Sequence, residues 1–344
     1  MSRRIAHVIP ALALLVASSS LLFAAPKPRV PARPKTAGRV LLGTKQLTGD
    51  QAAPGQEYTL GKSSPLNFQL DSVEYSADRL RIGDNDYLPA ADEKHLVIHF
   101  TLHNPQPRER LVRFDTLRYT AVDNLNTNHE ARQHTGEKAT LGELNMRLKP
   151  GQKVAAYTFI AVPAAVSVPK LIVTSSDNLV LRYDLNGKIR PLSGPAVSPD
   201  DTSGATALGE VPARYGVSYE MGAFDVVAVG AAHSAAPIGN QRLRDEARNL
   251  IVSLRVKNAS KRPQVLRSDT LRVKMVDADG ATVAWRSNLL TNSRDVDFNS
   301  RLDPGQEVSV RTYATVAKDQ TVKTVSLTVG AGNRQFVYDL TAAQ

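Results

Sequence analysis

Hydrophobic residues recur at every second position in several short runs of this chain. Across 95–103 the even positions Leu96, Ile98, Phe100 and Leu102 are apolar, with His95, His99, Thr101 and His103 between them. The alternation returns at Leu250, Val252, Leu254 and Val256, set against Asn249, Ser253, Arg255 and Lys257. A period of two is that of a half-buried antiparallel strand, with one face on a core and the other in water. Leu117, Tyr119 and Ala121 predict a further strand, matched by Leu271, Val273 and Met275, and Leu171 and Val173 are mirrored by Val325, Leu327 and Val329. Pro150-Gly151 and Pro304-Gly305 are turn dipeptides, each ahead of another strand. No stretch between turns carries a period of 3.6, so the expected class is all-β.

These runs come in pairs because the sequence repeats itself. Residues 95–160 lie on 249–314 at a constant offset of 154 without a gap. Asp115-Thr116-Leu117-Arg118 falls on Asp269-Thr270-Leu271-Arg272, Val122-Asp123 on Val276-Asp277, and Pro150-Gly151-Gln152 on Pro304-Gly305-Gln306. One residue then enters the second copy, and Tyr183-Asp184-Leu185 meets Tyr338-Asp339-Leu340. A unit of this size exceeds a solenoid repeat and implies two copies of one domain. Each copy is long enough to bury its own core and is expected to fold alone, with about seven strands at the spacing of a sandwich. The comparison also sorts residues: those shared by both copies serve the fold, and those in one copy need another account.

The shared elements are a strand ending in Asn (Asn104, Asn258), an acidic entry to the next strand (Asp115, Asp269) and a Val-Asp hairpin, clearest in Val276-Asp277-Ala278-Asp279-Gly280. An L-x-P-G-x-x-V segment follows, Leu148 to Val154 and Leu302 to Val308. This pattern resembles a bacterial family of secreted, telokin-like immunoglobulin domains of unknown function, often found on exported lipoproteins. The resemblance implies two tandem immunoglobulin-like antiparallel β-sandwiches and an exported location, and it carries no catalytic residues. The chain departs from it in having no lipid-bearing cysteine and in placing Ala317 where the first copy has Pro163.

The net charge of +10 changes the picture only once it is located. Residues 1–40 hold seven basic residues and no acids, leaving 36 Lys and Arg against 33 acids elsewhere. Arg3 and Arg4 followed by an uncharged stretch from Ile5 to Ala25 read as a secretory signal, cleaved after Ala24 or retained as an anchor. The expected organisation is therefore a signal peptide or signal anchor at 1–25, a basic Pro-rich tether at 26–56, the first repeat at 57–185, a linker at 186–216 and the second repeat at 217–344. Lys27, Arg29, Arg33, Lys35 and Arg39 on the tether suit an anionic envelope surface. The chain has no cysteine, which removes disulfides, thiol catalysis and zinc-thiolate sites.

Candidate chemistry is sparse. His95, His99 and His103 share four-residue spacing, but on a strand that spacing separates neighbours by about 13 Å, too far for one zinc. They are expected on a polar outer face toward solvent, and the second copy has Asn249, Ser253 and Lys257 there. Asp84-Asn85-Asp86, with Asp92 and Glu93, offers hard oxygens suited to calcium, but is read as a solvated loop. Asp277-Ala278-Asp279-Gly280 lacks the distal glutamate of a calcium loop and reads as a hairpin turn. There is no G-x-S-x-G elbow, phosphate loop or dinucleotide fingerprint, and Trp285 is the only tryptophan. No catalytic, cofactor or metal residue is assigned, no cofactor is implied, and nucleic acid is not an expected partner. The expectation is an exported non-enzymatic envelope protein that binds a protein or envelope polymer. A structural spacer and a secreted hydrolase with an unrecognised site are the rival readings, and the oligomeric state is left open.

Overall fold

In the structure, a computed structural model, the described residues are 49–340, apart from 63, 133, 199, 206–207, 284–287 and 331–332. The signal segment, the tether as far as residue 48, Trp285 and the last four residues lie outside them. The described chain is all-β, without a helix, and so without one long and apolar enough to cross a membrane.

Residues 49–190 form two main sheets around one core. Leu66–Ser76, Glu93–His103 and Lys153–Pro163 run side by side at the centre of the first sheet. Leu117–Val122, Lys170–Ser175 and Val180–Asp184 are neighbours in the second. The alternating residues Leu96, Ile98, Phe100 and Leu102 point inward, each at most 1% exposed, onto Tyr119, Leu171 and Tyr183. Residues 210–340 repeat the arrangement around a second core, with Phe224–Ser234, Ala247–Asn258 and Glu307–Ala317 facing Leu271–Asp277, Val322–Val329 and Gln335–Asp339. Registers correspond: Leu102 pairs with Val154 as Val256 pairs with Val308, and a bulge follows Leu70 as one follows Ala228.

The residues common to both halves hold turns. Asn104 and Asn258 are both 0% exposed. The Asn104 amide donates to Arg108 O at 2.8 Å and Leu148 O at 2.9 Å, and its Oδ1 accepts from Gln106 N at 3.1 Å. Asn258 donates to Arg262 O and Leu302 O at 2.9 and 3.0 Å and accepts from Ser260 N at 3.0 Å. Each side chain thus ties its strand end to the strand before the Pro-Gly turn. Gly151 and Gly305 adopt φ of 70° and 79°, which explains glycine there, and their amides donate to Asn104 O and Asn258 O. Asp277 Oδ1 accepts from Asp279 N and Ala281 N at 3.1 and 2.8 Å, closing the hairpin as Asp123 does with Leu125 N and Thr127 N.

The segments read as tether and linker contain short strands. Gly49–Ala52, inside the segment read as tether, pairs in parallel with Val180–Asp184 and sets Ala52 opposite Tyr183. Glu210–Ala213, inside the segment read as linker, does the same on Gln335–Asp339 and sets Ala213 opposite Tyr338. Tyr58 and Tyr219 then each accept a hydrogen bond from the amide five residues earlier, Ala53 N and Arg214 N, both at 2.9 Å. Ile189–Arg190 adds a further parallel pair to Val73 and Glu74. Such short parallel edges carry no alternating pattern, so hydropathy does not reveal them.

Between the two sandwiches the contact is made by arginines. Arg334, 6% exposed, donates to Ala77 O at 2.8 Å and Glu93 O at 2.9 Å of the first sandwich. Arg79 reaches the other way, to Asp225 Oδ1 at 2.8 Å and to Gly222 O and Phe224 O at 3.0 Å. Part of the linker is buried with them, since Lys94 Nζ donates to Ser203 O at 2.8 Å and Leu192 and Leu208 pack on Ala77 and Ala164.

Candidate functional site

The outer face of the sheet that carries Glu93–His103 separates the two halves. Between Ser76 and Glu93 the chain has sixteen residues, and between the corresponding Ser234 and Ala247 it has twelve. The longer connection folds a hairpin, Leu80–Ile82 against Asn85–Tyr87, back over its own sheet. Ile82, Val97, Tyr157 and Phe159 make a small apolar cluster beneath it, so Val97 is buried on what the alternation marks as the outer side. Tyr87 stacks on His134 and Phe159, with ring centroids 4.7 and 5.0 Å away, and His95 lies 4.5 Å from Phe159. The face is plugged.

This plug corrects the expectation for the histidines. His95 does not face solvent: it is 2% exposed, and burial, with Arg334 and Arg132 nearby, pushes its pKa down to about 3. His99 and His103 are half-buried rather than open, and each ends on its own carboxylate. His99 Nε2 lies 2.9 Å from Glu74 Oε1, and His103 Nδ1 lies 2.7 Å from Glu57 Oε1. The three rings are thus directed to three separate partners, as strand spacing requires.

The acidic loop also has a structural use. Both Asp86 oxygens are taken by Arg81, at 2.7 and 3.0 Å, and Arg81 donates onward to Ala259 O of the second sandwich at 2.6 Å. Asp84 sits 3.9 Å from Lys261 Nζ. The Asp92 backbone carbonyl accepts from Ala164 N, and the Glu93 carboxylate faces Ala90 N. These acids therefore close a hairpin and join two sandwiches rather than converge on one point.

In the second sandwich the shorter connection leaves the same face open among the described residues. A cleft of about 560 Å³ lies there, lined by Asn240, Gln241, Asn288, Asp295, Tyr313 and Thr315 among others. Tyr313, Asn288 and Asn249 stand 154 residues after Phe159, His134 and His95, so an aromatic stack has become a polar one. The Tyr313 hydroxyl bonds Gln241 Oε1 at 3.3 Å, and Gln241 Nε2 donates to Thr315 Oγ1 at 3.3 Å. Thr315 Oγ1 donates to Asn249 Oδ1 at 2.8 Å. Asn288 Oδ1 accepts from Thr312 Oγ1 and Tyr313 N, fixing the strand at the cleft floor. Asp295 pairs with Arg311 and accepts from Gly239 N at 2.8 Å, which pins the rim. The side chains are held in place while their outer surfaces stay accessible, an arrangement suited to binding a polar ligand. Thr315 gives its proton to an amide that cannot act as a base, so it has no nucleophile's environment.

None of these residues stands out in sequence. The readable signal is the four-residue difference between the two connections, together with the change of Phe159 to Tyr313 at equivalent positions. The arginines of the contact, Arg79, Arg81 and Arg334, leave no signal, because their partners across it are mostly backbone carbonyls distant in sequence.

The sequence matches no known family profile and no curated protein. Among solved structures the fold is similar to an uncharacterized β-sandwich protein of Clostridium difficile, at 14% identity and a TM-score of 0.32 over 41% of this chain and 97% of that one. It is similar to the secreted protein MPT63 of Mycobacterium tuberculosis, at 11% identity and a TM-score of 0.30 over 40% and 98%. It is also similar to a conserved hypothetical protein of Bacillus anthracis, at 18% identity and a TM-score of 0.26 over 35% and 92%.

Proposed function

We propose that this chain is an exported, non-enzymatic binding protein of the cell envelope, built from two copies of an immunoglobulin-like module. The second module holds the ligand and the first serves as its support. The observation that carries the reading is the contrast on one sheet face, plugged by Tyr87 in the first sandwich and open as a polar cleft at Tyr313 in the second. A fold that needed this face covered would cover it in both halves. The N-terminal segment, charged at Arg3 and Arg4 and uncharged from Ile5 to Ala25, supports export, and the basic residues 27–39 support retention at an anionic surface. The ligand in this reading is an envelope component, protein or polymer. The arginine contact between the sandwiches favours a second role, as a rigid spacer.

The test is retention of envelope material by the mature chain, residues 25–344, and by its Tyr313→Ala and Gln241→Ala variants. Binding by the mature chain that falls in both variants supports the cleft. Equal retention by all three places the contact on the basic tether, removes the cleft from the function and leaves the spacer as the role of the sandwiches.

A further inference from the structure

Resting on the reading of this cleft as the binding site, we propose that its ligand is an uncharged sugar, with the Tyr313 ring as the platform for one pyranose unit. A sugar ring offers two chemistries at once: apolar C–H faces, and a rim of hydroxyls that both donate and accept. The cleft offers the counterparts. Tyr313 is a half-buried ring whose hydroxyl is tied to Gln241, so it stands as a fixed wall with an open face. Around it stand amides and a hydroxyl, Asn240, Gln241, Asn288 and Thr315, and the acceptor carboxylates Asp295 and Asp297. Amides pair a donor with an acceptor on one planar group, which suits neighbouring hydroxyls. The volume, about 560 Å³, is in the range of sites that enclose small organic ligands.

Charge narrows the class. The described lining includes two carboxylates and no lysine or arginine, and Arg311 beside it is engaged by Asp295. A uronate or a phosphate-bearing polymer would bring its anion against Asp297, and the described lining has no cation to meet it, a repulsive element that selects against such ligands. A peptide fits less well, because Ile238 and Leu290 on the lining are themselves buried in the fold and leave no apolar side-chain pocket.

The experiment is calorimetric titration of residues 25–344 with neutral tetrasaccharides of glucose, N-acetylglucosamine and mannose, and with tetragalacturonate as the acidic comparator. At least one neutral probe is expected to bind about tenfold or more tightly than the acidic one. Tyr313→Ala is expected to weaken that binding at least about tenfold, while Tyr313→Phe, which keeps the ring, holds it within about threefold. Gln241→Ala, at an exposed position, repeats the test should Tyr313→Ala fail to fold. Equal affinity for the acidic and neutral probes, or neutral binding untouched by both alanine variants, overturns the sugar assignment. Failure of every neutral probe, while Tyr313→Ala still loses envelope retention, overturns the sugar and leaves the binding function standing. Failure of both removes the cleft from the function altogether.

Discussion

Replacing Asn104 by Asp tests the claim that a buried amide, and not merely a polar residue, closes the strand end. The amide nitrogen donates to the backbone carbonyls Arg108 O and Leu148 O, and at 3.2 Å to Lys149 O, inside a fully buried site. A carboxylate there would point oxygen at oxygen, so the introduced carboxyl must stay protonated in the fold. Its folded pKa is then raised above the unfolded value near 3.9, and the sign follows. The native state holds a proton that the unfolded chain releases, so the stability deficit is small below about pH 4 and grows by about 1.4 kcal/mol per pH unit above it. At pH 7, three units higher, the pH-dependent part of the loss reaches about 4 kcal/mol if the folded group is still protonated. At pH 4 a loss of about 1 kcal/mol remains, because a single O–H replaces two N–H donors. Asn104→Ala should cost about 3 kcal/mol at every pH, since it strands two carbonyls and the Gln106 amide. Urea titrations at pH 4, 5, 6 and 7 measure both, and Asn258→Asp is a replicate in the second sandwich. A deficit in Asn104→Asp that does not change with pH would refute the reasoning.

Other outcomes follow from the contact and the plug. Arg334→Met leaves Ala77 O and Glu93 O without their donor, and should cost about 2–4 kcal/mol and separate one unfolding transition into two in calorimetry. Asp78 has its pKa raised to about 6, first by burial and then by Glu220. Its stabilising share is complete below the unfolded value near 3.8 and is lost as pH rises through 6, so Asp78→Asn should remove a loss of stability seen between pH 4 and 6. His95 is the opposite case: buried and neutral with its pKa pushed down to about 3, it supports the fold above pH 6.5 and withdraws that support as pH falls toward 3. His95→Asn, the residue the second half carries, should therefore lessen acid unfolding on a melting scan across that window.

What was legible in the sequence is what repeats locally. Leu96, Ile98, Phe100 and Leu102 announce a strand because each buries the same face, and the turn at Pro150-Gly151 needs a glycine whatever surrounds it. Val97 and His95 could not be placed by alternation. The burial of Val97 comes from a hairpin that crosses back over the sheet, and His95 lies near the charge of Arg334, more than two hundred residues away in sequence. Gly49–Ala52 escaped for another reason, since a four-residue parallel edge has too few positions to show a period. The cleft lay hidden because an open site is marked by what is missing, here four residues of a connection, and hydropathy scores only what is present.

The Arg334 contact also sets how far such an array can grow. A head-to-tail docking of like domains is heterologous, and if its donor and acceptor were present on every domain it would propagate into a filament. The donor here belongs to one half only: the position matching Arg334 in the first sandwich is Leu179, which has no charge to offer. The first sandwich can receive an arginine but has none to present at that place, and its receiving carbonyls are already taken within the same molecule. The donor that locks the two halves together is thus carried by one of them only, so this contact cannot be repeated in the same form from the first sandwich.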